Sequence, residues 1–249
     1  FADFALWKKA NPDDMQIWRS PWGDGNPGWH IECTAMSTKY LGAQFDIHGG
    51  GMDLKFPHHE DEIAQNCGSL GCNPARYWMH ANMLNVNGQK MSKSLGTTTI
   101  FDKSYSPAVL RFCMMQAHYR STLDLSSDSL NAAEKGFTRL SDALQLLPTI
   151  TTSETSSVDV AALVASFYKA MNDDFNAPML VAALFEGVKY INALAENKAT
   201  ISAADLAVLT SEYQSFIGDV LGLHVEKATS DDALNATMEL VLAMRKKAR

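Results

Sequence analysis

Cys33 and the segment Phe56-Pro57-His58-His59-Glu60-Asp61-Glu62 concentrate side chains able to hold a metal. On a helix, His58 and Glu62 stand at i and i+4 and share a face. A thiolate, an imidazole and a carboxylate are good zinc ligands, and three of them leave a position open for substrate or water. His30, at i−3 from Cys33, competes for the role, as do His48, His59 and Glu60. The plainer reading is a solvated helix start, because acids near an N-terminus are favoured by the helix dipole. Spacing leaves both open. A second group is Lys90-Met91-Ser92-Lys93-Ser94, which follows a turn signal. Two lysines bring point charge and two serines bring hydroxyl donors, a set able to wrap a polyphosphate. Without a nucleotide site beneath it, it is a solvated basic loop. A third is Gly49-Gly50-Gly51, with Asp46, His48 and Asp53 around it. The carboxyl end of a strand is where open α/β sheets bind ligands, although a tight turn explains the glycines as well. Cys67 and Cys72 read as ordinary thiols. Trp22, Trp29 and Trp78 could line a pocket, with core packing as the default for any one of them.

The elements that must position these groups fall into two regimes. Residues 1–100 are rich in Gly, His, Trp and Asn and read as α/β; residues 107–249 are rich in Ala, Leu and Ser and read as all-α. Residues 20–28 are a loop by composition. A helix is predicted over 29–41, with Gly42 at its C-cap. A short strand follows at 45–48, ended by the glycine triplet. Pro57 suits the first turn of a helix running to about Leu70. A strand is predicted over 77–86, then a hairpin turn at Asn87-Gly88 and a surface loop over 89–99. Helices are placed at about 107–118, 126–147, 157–173, 177–196, 203–221 and 231–248. Asp159, Asn176 and Ser230 or Asp231 serve as caps. The helix near Ser127 lacks the acid of a capping box.

The chain has 249 residues, of which 46% are hydrophobic, so a sizeable core is within reach and a mainly disordered chain is excluded. Its net charge of −7 is not the footprint of a small basic nucleic-acid-binding domain, although local patches still permit an RNA partner. Four cysteines are too few for a disulfide scaffold and suggest a reducing, cytoplasmic compartment. Apolar runs are short of a membrane span, and the opening residues lack the pattern of a signal peptide. The chain starts at Phe1 and stops within a helical pattern, so both ends are expected to be cut.

Taken together, the motifs resemble cysteinyl-tRNA synthetases, a family of class I aminoacyl-tRNA synthetases. The resemblance rests on Pro27-Gly-Trp-His-Ile-Glu-Cys33, Phe45-Asp-Ile-His-Gly-Gly-Gly51, Asp53-Leu54, Phe56-Pro-His-His-Glu60 and Glu62-Ile-Ala-Gln65. It continues through Tyr77-Trp-Met-His80, Lys90-Met-Ser-Lys-Ser-Leu-Gly96, His118-Tyr-Arg-Ser121 and Met171-Asn-Asp-Asp-Phe-Asn176, so it spans the whole chain. It implies the C-terminal part of a class I Rossmann-type catalytic domain over 1–100, ending in the KMSKS loop. A stem-contact connector would follow over 101–125, and a helical bundle that binds the anticodon stem over 126–249.

The resemblance implies that Cys33, His58 and Glu62 are three of four ligands of one zinc ion. It implies that Lys90, Met91, Ser92, Lys93 and Ser94 bind ATP, with Lys90 and Lys93 stabilising the departing pyrophosphate, and that Trp29 and His48 border the amino-acid pocket. The activity expected is attack of the cysteine carboxylate on the α-phosphorus of ATP, with Mg2+, followed by transfer of cysteine to the 3′-terminal ribose of tRNA(Cys). Zinc suits the task, since cysteine and serine differ by one atom and a size sieve separates such pairs by only ~1–3 kcal/mol, whereas zinc binds thiolate directly. The chain carries no HIGH motif and no fourth ligand of the family's set. The isolated chain is therefore expected to be inactive, a monomer without membrane contact. Two other readings stay open: a related ligase passing cysteinyl-adenylate to an amine on a small sugar, and a non-catalytic tRNA-binding module.

Overall fold

The structure, a computed structural model, describes residues 5–91 and 105–224. Ser92, Lys93 and Ser94, the rest of the expected surface loop, and the expected helix at 231–248 lie outside the described residues. The chain divides into two compact units, Phe1–Thr98 with Tyr119–Asp124, and Thr99–His118 with Leu125–Arg249.

In the first unit a short antiparallel pair opens the chain. β1 (Trp7–Lys9) pairs with β2 (Gly25–Pro27), the last part of a stretch expected to be all loop. Gly28 follows in extended backbone, and α1 (Trp29–Leu41) runs over the span its periodicity predicts. β3 (Phe45–Gly51) is longer than expected, because the glycine triplet continues the strand rather than ending it. It pairs in parallel with β4 (Ala75–Ala81), with His48 opposite Trp78 and Gly50 opposite His80. A parallel pair needs a crossover, and here it is a turn at Met52–Leu54, a wide turn at Lys55–His59 and α2 (Glu60–Leu70). Pro57 does not open that helix: Phe56 is extended (φ −136°, ψ 131°) and the α-helix starts only at Glu60. A residue before proline is pushed out of the helical region, so the segment bends before it winds.

The single strand expected over 77–86 is two. It breaks after Ala81, where the Asn82 side chain accepts from its neighbour Met83 N at 2.7 Å and donates to Arg120 O at 2.9 Å. β5 (Leu84–Val86) then turns through Asn87-Gly88, both at positive φ, into β6 (Gln89–Lys90), as the turn signal predicts. β7 (Leu123–Leu125), which no pattern announced, completes the small sheet in the order β6-β5-β7.

The second unit is helical. α3 (Pro107–Met115), α4 (Ser127–Leu146), α5 (Val160–Asn172), α6 (Ala177–Ala195) and α7 (Ala203–Gln214) correspond to the five helices expected among these residues. Asp159 and Asn176 cap α5 and α6 as expected. α4 has a capping box after all: the Ser126 hydroxyl accepts from Ser129 N, and Ser129 replaces the missing acid by reaching back to Ser126 N. α7 ends in a wide turn at Ser215–Val220 instead of continuing to 221. Leu140, Phe167, Leu180, Leu184, Ile191, Leu209 and Tyr213 form a fully buried core. α6 is long and apolar enough, by length and composition, to cross a membrane; its Leu180, Leu184 and Ile191 are buried here, and it packs on α4 and α5.

Candidate metal centre and amino-acid site

Three segments of the first unit converge. α1 brings Cys33, the end of the wide turn brings His58, and the first turn of α2 brings Glu62. Cys33 Sγ lies 3.6 Å from His58 Nε2, and His58 Nε2 lies 3.0 Å from Glu62 Oε1. One ligand atom from each of the three falls within 4.8 Å of the others. The i, i+4 relation survives the bend because His58 already lies in the turn that leads into α2.

The electrostatics are those of a site short of positive charge. Glu62 is 2% exposed, and its Oε1, although 3.0 Å from His58 Nε2, accepts no well-directed hydrogen bond. A buried carboxylate oxygen so poorly satisfied is costly, and burial raises the Glu62 carboxyl from 4.5 to about 7. Burial, with Glu62 and Glu32 nearby, also raises the Cys33 thiol. Burial, with His30 beside it, lowers the His58 imidazole. A divalent cation would meet all three needs, favouring thiolate, neutral imidazole and ionised carboxylate together. The donor set therefore fits the zinc that the sequence suggests.

Around this triad stand further imidazoles. His30 Nδ1 is 3.2 Å from His58 Nδ1 and 3.4 Å from Asp61 Oδ2. His48 Nδ1 is 3.6 Å from Glu62 Oε2, with its ring stacked on Trp78 at 4.5 Å. His59 Nδ1 and His80 Nε2 are 2.8 Å apart. His48, His59 and Glu62 form a second group within 4.8 Å, sharing its carboxylate with the first. Of the competing ligands, His48 and His59 fall in the second group, whereas His30 and Glu60 stand outside both, Glu60 exposed on α2. Gly50 is required here: a Cβ on it would lie 2.6 Å from His59 Cε1. The triplet thus makes room for an imidazole.

Trp29 and His48 flank the triad from two directions. Trp29 is exposed, with its ring 4.2 Å from that of His58, while His48 faces Glu62. Lys90 lies in β6, paired with Asn85, and Met91 N donates to Leu84 O at 3.1 Å. Sequence reasoning quoted His80 only as part of a motif and gave it no task; its place opposite Gly50, beside His59, depends on the register of β3 and β4. Cys67 and Cys72 are free thiols outside both groups, as expected.

Comparison with known proteins agrees with this architecture. Residues 1–135 match the family described as tRNA synthetases class I (C) catalytic domain, and residues 166–226 match the DALR domain. The chain is 49% identical to a Cysteine--tRNA ligase of Porphyromonas gingivalis, over 99% of this chain and 53% of that protein. It is 49% identical to the ligase of the same name from Bacteroides fragilis, over 100% and 53%, and 47% identical to that of Deinococcus radiodurans, over 99% and 52%. The chain thus spans about half the length of the curated relatives it matches. Among solved structures, a LeuRS–tRNA–LeuAMS ternary complex of Agrobacterium radiobacter covers 84% of this chain and 34% of its own, with a TM-score of 0.55 at 16% identity. A putative arginyl-tRNA synthetase of Campylobacter jejuni covers 84% and 55%, with a TM-score of 0.53 at 11% identity. At such identities the likeness is one of fold. With more than half of its residues matching that catalytic-domain family, the chain belongs to the class I (C) tRNA synthetases.

Proposed function

We propose that this chain serves cysteine–tRNA ligation, and that Cys33, His58 and Glu62 hold a zinc ion that recognises the substrate cysteine by its sulfur. The observation that carries the reading is the convergence of one ligand atom from each of these three side chains within 4.8 Å, where the buried Glu62 Oε1 accepts no well-directed hydrogen bond. When bound, zinc supplies a strong, selective bond to thiolate sulfur. The chain's own residues do the rest. His58, ligating through Nε2, turns its Nδ1 to His30, which fixes the ring. His48 faces the other carboxylate oxygen of Glu62, with Nδ1 at 3.6 Å. Trp29 and His48, on two sides of the triad, border the bound amino acid and keep its carboxylate oriented.

The reaction is the attack of that carboxylate on the α-phosphorus of ATP, with Mg2+, and departure of pyrophosphate. A ribose hydroxyl at the tRNA 3′ end then takes the acyl group, giving up its proton as AMP leaves. Lys90 and Lys93 of the KMSKS segment neutralise the departing pyrophosphate. The helical unit with its DALR match supports tRNA, rather than a small amine, as the acceptor. The test is discrimination. Zinc-loaded protein should bind cysteine more tightly than serine by more than the about 200-fold ceiling of a size sieve, and pyrophosphate exchange by the purified ligase should need cysteine. Equal binding of the two amino acids would overturn the zinc-recognition reading.

A further inference from the structure

The β1–β2 pair and its loop expose an aromatic surface that the amino-acid site does not use. Trp22 is 80% exposed, and its ring centroid lies 6.5 Å from that of Trp7 at a tilt of 54°. Trp7 Nε1 donates to Gly23 O at 3.2 Å, which ties the indole to the loop that carries Trp22. The loop is itself held: Ser20 Oγ donates to Gly23 O at 2.6 Å and accepts from Trp22 N at 3.2 Å. Trp7, Lys9, Trp22 and Asp24 contribute to a cleft of about 500 Å3. Two indoles on a fixed hairpin, beside a cation, form a stacking surface rather than a stray exposed apolar residue.

Several features commit this surface to one occupant. Lys8, Lys9 and Arg19 are exposed on the same segment, and none forms an ion pair among the described residues. An aromatic face beside unpaired cations is what unpaired nucleotides bind: bases stack while phosphates meet lysine. A purely apolar partner would strand these cations. Asp24 offers an acceptor for the exocyclic amine of a base. Asp14, which reaches β2 through Asn26, is already engaged by Asn11 N and Asn26 Nδ2. The hairpin that carries the surface also leads along the chain into the site. β2 passes through Gly28 directly into Trp29, which packs on His58, and Gly28 N is anchored to Leu6 O beside β1.

We infer that Trp7 and Trp22, with Lys9, form a platform on which unpaired nucleotides at the 3′ end of an RNA stack as that end is led to the amino-acid site. The inference rests on the tRNA reading of the site but adds a binding surface outside the amino-acid pocket. Trp22 is a positioning residue here and touches no reacting atom.

The test is fluorescence anisotropy of the purified chain with a short single-stranded RNA ending in adenosine, against the same backbone with abasic sugars. The RNA should bind better than the abasic strand. Trp22→Ala should weaken it about tenfold, as expected for one lost base stack, while Trp22→Phe should retain most of the affinity. Lys9→Ala should lower the salt dependence by about 0.7 in log–log slope. Zinc content and cysteine binding should be unchanged in all three variants, which separates failure of the platform from failure of the zinc site. Equal binding of RNA and abasic strand, no effect of Trp22→Ala, no RNA binding at all, or displacement of the RNA by free AMP at equal concentration would each overturn the inference.

Discussion

The Glu62 carboxyl is the residue on which the site's chemistry turns. It is buried, its Oε1 accepts no well-directed hydrogen bond, and two groups of potential ligands share it. Glu62→Gln keeps the shape and removes the charge, so the chain should lose zinc affinity by about 10- to 100-fold or more, the loss usual even for outer partners of a ligand. A competition titration with a chelating dye would measure it, and unchanged affinity would remove Glu62 from the ligand set. His80 carries a different prediction. Burial lowers it, with Lys55 and Arg120 adding to the effect, and burial holds its neighbour His59 down at about 4. A folded value below the unfolded one gives stability that is present above the ordinary histidine range, ~6.5, and lost as pH falls through it. Glu62, raised to about 7, has the opposite sign, so wild type alone would mix the two. In zinc-free protein the urea midpoint of the first unit should fall more between pH 7 and pH 5 in wild type than in His80→Gln. Parallel pH profiles would show that His80 does not titrate in that window.

Among the elements, the long periodic ones were legible and the short ones were not. α1, α4, α5 and α6 follow from apolar spacing and from caps such as Asp159 and Asn176, because local rules decide both. β1, β2 and β7 have three residues each, too few for alternation to register, and they exist through partners far away in the chain. The glycine triplet misled for a physical reason: composition signals a turn, but Gly50 is small because His59 packs against the strand. The same limit applies to the site. The spacing of His58 and Glu62 was readable, whereas Cys33, His48 and His80 join them only once α1, β3 and β4 are in place. In the helical unit, Gly187 of α6 lies against the buried Tyr213 of α7, whose hydroxyl donates to Leu184 O, and a Cβ at 187 would collide with that hydroxyl. Gly187→Ala should therefore cost about 1–3 kcal/mol despite its better helix propensity. Ser126→Ala should cost about 1 kcal/mol by removing the cap of α4. Urea denaturation followed by far-UV circular dichroism checks both, and a stabilised Gly187→Ala would refute the packing.

For the whole molecule the decisive feature is how differently the two units are filled. Among the described residues, every large side chain that is fully buried, from Phe112 to Leu221, belongs to the helical unit. Among the described residues of the first unit the buried apolar side chains are the small Pro74 and Ala75, while most of its other buried side chains are polar: Thr34, His58, His59, Glu62, Gln65, Asn66 and His80. Ile47 and Tyr77, opposite each other in the β3–β4 register, are both exposed. On the zinc reading, a unit with so little apolar burial would gain stability from the ion, because binding free energy adds to folding free energy. Calorimetry should resolve two transitions, with a chelator lowering the first-unit transition and leaving that of the helical unit in place; equal shifts would contradict this division. The account as a whole stands on the zinc ion, and the direct measurement is elemental analysis of the purified chain beside Cys33→Ala. The account predicts about one zinc per chain, lost in the variant. Zinc absent from the wild-type chain, or retained in full by Cys33→Ala, would contradict it.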